Sequence, residues 1–292
     1  LLRESPEVRY RFIQGHPEHP VAKWAGILQV GRTSYYAWLR NREVAENRKA
    51  HLKKRIKEEF IGSRGTYGPD RIIAELRKRG ERLGRVKCRD LMEEMSLTSC
   101  HNRHKTKSLT NSKKARGDGY PNILREQEFP IAARMGLTSD ITYLRTAEGF
   151  MYHCVIRDIV TGDVLGDYMA DRMTKELVLN TIMAKGCIFH SDRGSQYTSK
   201  AVMDLLQRHG LRQSFSRVGM PGDNAWSESF FATMKKELIH WTHYETKESV
   251  RAAVFEYIYC FYNVTRIQKR LGYMSPREYL RSLRTDRLAK VA

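Results

Sequence analysis

The chain changes period at about residue 137, and this change constrains the fold more than any other feature. Residues 138–144, 150–157 and 164–169 are short runs rich in β-branched and aromatic side chains. The strings Thr146-Ala-Glu-Gly149 and Thr161-Gly-Asp163 separate them and carry turn-forming residues, so three hairpin-linked strands are expected. Helix and strand patterns then alternate: a helix over 174–184, a strand running into Asp192, a helix over 200–209, a strand over 211–215 and a helix over 224–240. The expectation is a mixed five-stranded sheet with helices, occupying residues 131–245.

Three carboxylates fall where such a sheet concentrates them. The apolar run Gly186-Cys-Ile-Phe189 leads into His190-Ser-Asp-Arg-Gly-Ser-Gln-Tyr197, so Asp192 ends a buried strand. Glu228 follows after 35 intervening residues, on the last helix. Asp140 lies in the middle of the first strand, where an ionised side chain on a buried face is costly unless paired or metal-bound. With the first strand central, Asp140 and Asp192 meet on neighbouring strands and Glu228 closes the group. Asp158 is the rival third acid, but the turn directly after it gives it a structural task. Asn224, Glu228, Phe231 and Lys235 share one helix stripe, so Lys235 stands two turns beyond Glu228 on its face. Oxygen-only carboxylate clusters hold hard divalent cations and leave positions open for phosphate oxygens. For a lone Asp and Glu, a helix cap and a solvated side chain would be the simpler reading; the third acid and Lys235 weigh against it.

The charge balance supports a polyanionic partner. Among 292 residues there are 52 Lys and Arg against 33 Asp and Glu, a formal charge of +19 spread over most of the length. Nucleic acid fits this better than a membrane surface, because no basic helix has a strong apolar face and no apolar run approaches the roughly 18 residues of a spanning helix. The first residues, Leu-Leu-Arg-Glu-Ser-Pro, are not a signal peptide and read as a trimmed or internally begun product. Five scattered cysteines fit a reducing cytoplasm. His16 with His19, or His101 with His104, lack a Cys-x-x-Cys partner, so zinc is set aside.

The first half reads as helical. Residues 8–14, 20–28 and 32–41 form three short helices, the last two matching a helix-turn-helix with Ala25, Val30, Tyr35 and Trp38 inward. Arg32, Thr33 and Ser34 open its second helix and are candidates for DNA contact; an ordinary helical hairpin is the alternative. Gln29 and Gly31 stand where a turn glycine and a Ser or Thr cap are usual. A second helical unit over 46–100 combines a helix at 46–61, with Leu52, Ile56 and Phe60 on one face, and helices at 69–79 and 86–95. Arg71, Arg77, Lys78 and Arg79 would face phosphate there, or form a solvated basic face. Residues 101–130 read as a basic linker, in which Lys113 and Lys114 would order along a phosphate backbone. Residues 1–45 and 246–292 complete the division, the latter helical, with Arg266 in a basic run after an aromatic one.

At this point the sequence resembles a known family. The set Asp140, Asp192, Glu228 and Lys235 is similar to the DDE catalytic core of retroviral integrases and transposases, a ribonuclease-H-like fold whose element order is the one read above. The strings Thr-Ser-Asp140-Ile-Thr-Tyr, His-Ser-Asp192-Arg-Gly-Ser-Gln-Tyr, Asp223-Asn-Ala-Trp-Ser-Glu-Ser-Phe-Phe231 and Leu271-Gly-Tyr-Met-Ser-Pro276 resemble bacterial insertion-sequence transposases of the IS3 type, in the product of their second reading frame. Ser63-Arg-Gly-Thr-Tyr-Gly68 fits as well, so the resemblance covers nearly the whole chain. Leu137 departs from a tryptophan common in the family, and Gln268 from a histidine.

The resemblance implies DNA transposition with two Mg²⁺ ions per site, Mn²⁺ substituting, on ligands Asp140, Asp192 and Glu228. Water would cut at the element's end and the freed 3′-hydroxyl would attack a second phosphodiester. It implies double-stranded DNA partners, namely terminal inverted repeats and target, a homo-oligomer on paired ends, and a place in the bacterial cytoplasm at the nucleoid. His190, Arg193 and Asn224, beside the acids, join Lys235 as expected DNA contacts. Two other readings are a DNA-binding regulator with a silent core and a nuclease of the same fold. The three acids argue against the first, the helix-turn-helix and basic linker against the second.

Overall fold

The computed structural model describes residues 1–102, 121–126, 131–182, 186–217 and 221–289. Lys113, Lys114 and most of the expected linker lie outside these residues. The helices of the first half are α1 (Pro6–Gly15), α2 (Val21–Ile27), α3 (Arg32–Gly62), α4 (Pro69–Lys78) and α5 (Arg85–Glu94), with a one-turn α6 (Ile123–Glu126) before the sheet.

The helices expected at 32–41 and 46–61 are one helix, α3, of 31 residues, and the boundary expected after residue 45 falls inside it. No glycine or proline interrupts residues 42–45, and the Arg42–Glu46 ion pair at 3.0 Å spans the join, so nothing there stops propagation. Before α3, Gln29 adopts the left-handed conformation, φ 52°, that the turn demands and that glycine would take without strain. Ile13, Leu28 and Tyr35 form the small core of this end, with Trp24 and Trp38 packed around it.

The sheet has the order β3-β2-β1-β4-β5, from strands β1 (Gly136–Thr146), β2 (Gly149–Asp158), β3 (Val164–Ala170), β4 (Ile188–Ser191) and β5 (Arg212–Phe215). β1, β2 and β3 pair antiparallel, whereas β4 runs parallel to both β1 and β5. The expected mixed five-stranded sheet is therefore present, with β1 central. Leu137, Cys154 and Ile156 pack on one face against α7 (Lys175–Leu179) and α8 (Lys200–Arg208). α7 is shorter than the helix expected at 174–184.

Leu144, Met151 and Val155 pack on the other face with Phe230, Phe231 and Met234 of α9 (Ala225–Met234) and with Val250 and Val254 of α10 (Lys247–Phe255). The helix expected over 224–240 does not stay regular: after α9 it widens into a π turn at Lys235–Ile239. A second π turn, Glu256–Tyr262, extends α10, and α11 (Pro276–Ala289) ends the described chain. The same apolar cluster includes Leu52, Ile56, Ile72, Leu76 and Leu91, so the helical unit of α3–α5 shares a core with the α9 and α10 layer. Among the described residues no helix is long and apolar enough to cross a membrane.

Candidate active site

The strand register brings the first two acids together. Gly136, Leu137 and Thr138 of β1 pair in parallel with Ile188, Phe189 and His190 of β4. Carrying that register two residues further sets Asp140 level with Asp192, and residues level on neighbouring strands project to the same side. β4 stops at Ser191, so β1 beyond this point has an open edge beside Asp140.

Glu228 comes to the same edge because α9 is fastened to β1. The Thr138 hydroxyl donates to Asn224 Oδ1 at 2.7 Å, and Thr138 and Ser227 hydroxyls lie 2.8 Å apart. All three residues are buried, so the hydrogen bonds fix the first turn of α9 two residues from Asp140. Asn224, expected at DNA, is thus an internal tie. The role of Thr138 and Ser227 was missed in the sequence, although Ser227 adjoins Glu228 and Thr138 precedes Asp140 by two.

The Asp140 carboxyl feels both other acids. The Asp140 carboxyl is pushed up to about 7, first by burial, then by the charges of Asp192 and Glu228; the Ile141 N–H, 2.8 Å from Oδ1, and Lys235 oppose this. Desolvation also raises Asp192, whose Oδ1 accepts from Gly194 N at 3.0 Å, and Glu228. Lys235 places Nζ 4.9 Å from the Tyr143 ring centroid; burial lowers its basicity while the Asp140 charge sustains it. Below the acids, Tyr197 and Ser139 share a hydrogen bond at 2.9 Å that closes the floor.

An oxygen-only set in which the charges of Asp192 and Glu228 oppose ionisation of Asp140 suits a hard cation, whose charge would offset that repulsion. Among the described residues, no three His, Cys, Asp or Glu side chains already stand close enough to hold one ion. The structure brings together the Asp140–Asp192 pair, with Glu228 contributing a smaller field. Asp158 is not a rival: it is buried and accepts from Thr161 N at 2.7 Å and Thr161 Oγ1 at 2.8 Å, fixing the β2–β3 turn.

Several expected DNA contacts point elsewhere. His190 is buried, bonded to Ser214 Oγ at 2.9 Å and Ser216 Oγ at 3.1 Å, and burial drives its pKa down to about 4, so it is neutral and internal. Arg266 is also buried and forms a bidentate pair with Glu237. Arg71 is half-buried, with its guanidinium 5.7 Å from the Tyr67 ring centroid, and faces the protein. Arg193 donates Nε to Ser216 O at 2.9 Å. Arg32, Thr33 and Ser34 are exposed at the start of α3 and free of such burial.

Three family descriptions match the chain: an integrase core domain over residues 134–221, a second integrase core domain over 228–282, and an HTH-like domain over 46–105. Transposase InsF for insertion sequence IS3A of Escherichia coli (strain K12) is 32% identical over 287 residues, which is 93% of this chain and 98% of that protein. The chain belongs to the IS3-type insertion-sequence transposases. Another relative, the insertion element IS600 uncharacterized 31 kDa protein of Shigella sonnei, is 34% identical over 260 residues, covering 86% of this chain and 94% of its own. The catalytic core domain of BIV integrase superposes with a TM-score of 0.36 at 17% identity, over 52% of this chain and 98% of that one. The HTH-like match over residues 46–105 coincides with the second helical unit expected at 46–100.

Proposed function

We propose that this DNA transposase cuts and joins phosphodiesters at the open edge of β1, with Asp140, Asp192 and Glu228 as its catalytic carboxylates. The register that sets Asp140 level with Asp192 carries the reading. A half-buried Asp140 whose ionisation is opposed by the charge of Asp192 has no evident structural benefit, whereas Asp158, the acid with a structural task, is hydrogen-bonded on both oxygens. Asp140 and Asp192 would hold one Mg²⁺ and Glu228 would help hold a second; Mn²⁺ fits the same oxygen set. Such ions supply the charge that stabilises attacking and leaving oxygens in an in-line displacement. Asn224, Ser227 and Thr138 hold Glu228 at the edge. Lys235, beside Tyr143, is placed to grip a phosphate next to the scissile bond. Arg32, Thr33 and Ser34 together with the α3–α5 unit would bind the terminal repeats, in a homo-oligomer on paired ends. The silent-regulator reading is not favoured, since the sequence keeps all three acids and the matched relative is a transposase.

The full chain with labelled duplex DNA bearing the element's ends should release a 3′-hydroxyl and form joined product in Mg²⁺ or Mn²⁺, and do neither in a chelator. Product formation that persists without divalent metal would contradict the assignment. End binding should weaken steeply with salt, as expected where many phosphates are neutralised.

Lys235 offers a narrower check. Lys235→Ala removes a charge-assisted hydrogen bond to phosphate, about 1.5–3 kcal/mol, or about 10- to 150-fold in rate, while alanine suits the helix. Lys236→Ala should have little effect, because neighbouring helix positions do not share a face. Equal rates for the two variants at one salt concentration would remove Lys235 from the site.

A further inference from the structure

Glu237 is not used by the chemistry above, yet three other side chains converge on its buried carboxylate. It sits in the π turn two residues after Lys235, with its side chain fully enclosed. Arg266 donates Nε and Nη2 to its two oxygens at 2.7 and 2.6 Å. Tyr257 donates its hydroxyl at 2.8 Å, and the His101 ring nitrogen lies 2.5 Å away. The partners come from the second π turn, from the segment after it, and from the end of the N-terminal helical unit. These contacts hold the Glu237 carboxyl down at about 2 against the cost of its burial.

The helical unit reaches the same pair a second time. Tyr67, in the loop between α3 and α4, donates its hydroxyl to Thr265 O at 3.2 Å and accepts from Ile267 N at 2.8 Å, so it holds the peptide groups on both sides of Arg266. Arg64 adds an ion pair to Glu256 at 2.6 Å. Positions two apart on a helix do not face one another. Lys235 turns toward Asp140 and Tyr143, whereas Glu237 turns toward His101 and Arg266. One helix therefore presents a phosphate-binding lysine on one side and a docking carboxylate on another. Irregular π turns of this kind recur where a helix serves a site.

We propose that Glu237 is a positioning residue that links the α3–α5 unit to the catalytic helix, so that DNA engaged by that unit sets the pose of Glu228 and Lys235 at the scissile phosphate. The inference rests on the transposase reading and concerns how recognition is passed to the site. His101 is the contact to test, because it belongs to the helical unit, is 29% exposed, and can be removed while the Glu237–Arg266 and Glu237–Tyr257 bonds remain.

The full chain, His101→Ala and His101→Gln would be compared for affinity to labelled end DNA, for single-turnover cleavage in Mg²⁺ at saturating DNA, and for thermal midpoint. His101→Ala should bind DNA within about twofold of the parent and cleave about tenfold more slowly, a coupling of the usual size between sites. His101→Gln, which retains an N–H donor, should recover most of that rate, and adding Tyr67→Phe to His101→Ala should slow it further at a temperature where all variants are folded. A lowered midpoint with parental cleavage rate below it would show a purely structural contact and overturn the link. If the parent cleaves and His101→Ala matches it, the link alone fails. If the parent shows no metal-dependent cleavage, the catalytic reading fails and the link with it.

Discussion

Asp192→Asn should lose cleavage and strand transfer while keeping its affinity for element ends. Asparagine preserves shape at the end of β4 and can still accept from Gly194 N, so the fold is unaffected. What disappears is one of the two charges that the β1–β4 register sets side by side. Charge stabilisation by a correctly held metal is worth several kcal/mol; at about 4 kcal/mol the loss is about a thousandfold in rate. End binding depends on the basic surface and the α3–α5 unit and should change little. Gel cleavage and fluorescence anisotropy on the same DNA separate the two effects.

Asp140→Asn should be inactive and yet more stable than the parent when metal is absent. The Asp140 carboxyl is raised from its ordinary 3.8 to about 7. A group whose folded pKa is raised costs stability when ionised: the unfolded chain ionises from about pH 4, the folded chain only near 7. Stability is therefore lost as pH rises between these values and stays lost above them. The full shift corresponds to roughly 4 kcal/mol, and water at this open edge reduces it to about 1–2 kcal/mol. Asparagine has no such charge and still accepts from Ile141 N. At pH 8 without metal its thermal midpoint should stand about 2–6 °C above the parent, with no gap near pH 4. Mg²⁺ should narrow the gap by stabilising the parent alone. A variant less stable than the parent at pH 8 would mean that Asp140 has a structural role.

Both acids could be read from the sequence because their positions follow from strand period. Asp140 interrupts an apolar β run, and Asp192 ends another, so the sheet order places them together. The helix that carries Glu228 followed from its apolar pattern, and the hairpins from their turn strings. The misassigned residues are those whose side-chain direction depends on distant partners. Arg266 lies in a basic run, but its carboxylate is 29 positions earlier, inside a π turn that regular helical spacing does not anticipate. His190 looks like an active-site histidine until β5 supplies Ser214 and the following loop Ser216. Asn224 was expected at DNA beside Glu228, yet its amide oxygen is used by Thr138. The fusion of two expected helices into α3 has a simpler cause: helix-favouring residues at 42–45 left no stop signal.

The most direct test of the carboxylate site is a Mn²⁺ titration of the protein bound to uncut end DNA, followed by electron paramagnetic resonance. Two ions should bind per catalytic site in the parent chain, fewer or none in Asp140→Asn and Asp192→Asn, and two again in Asp158→Asn if that variant folds. Parental stoichiometry and affinity in the Asp140 and Asp192 variants would contradict the account, because the level pair at the open edge of β1 would then hold no metal.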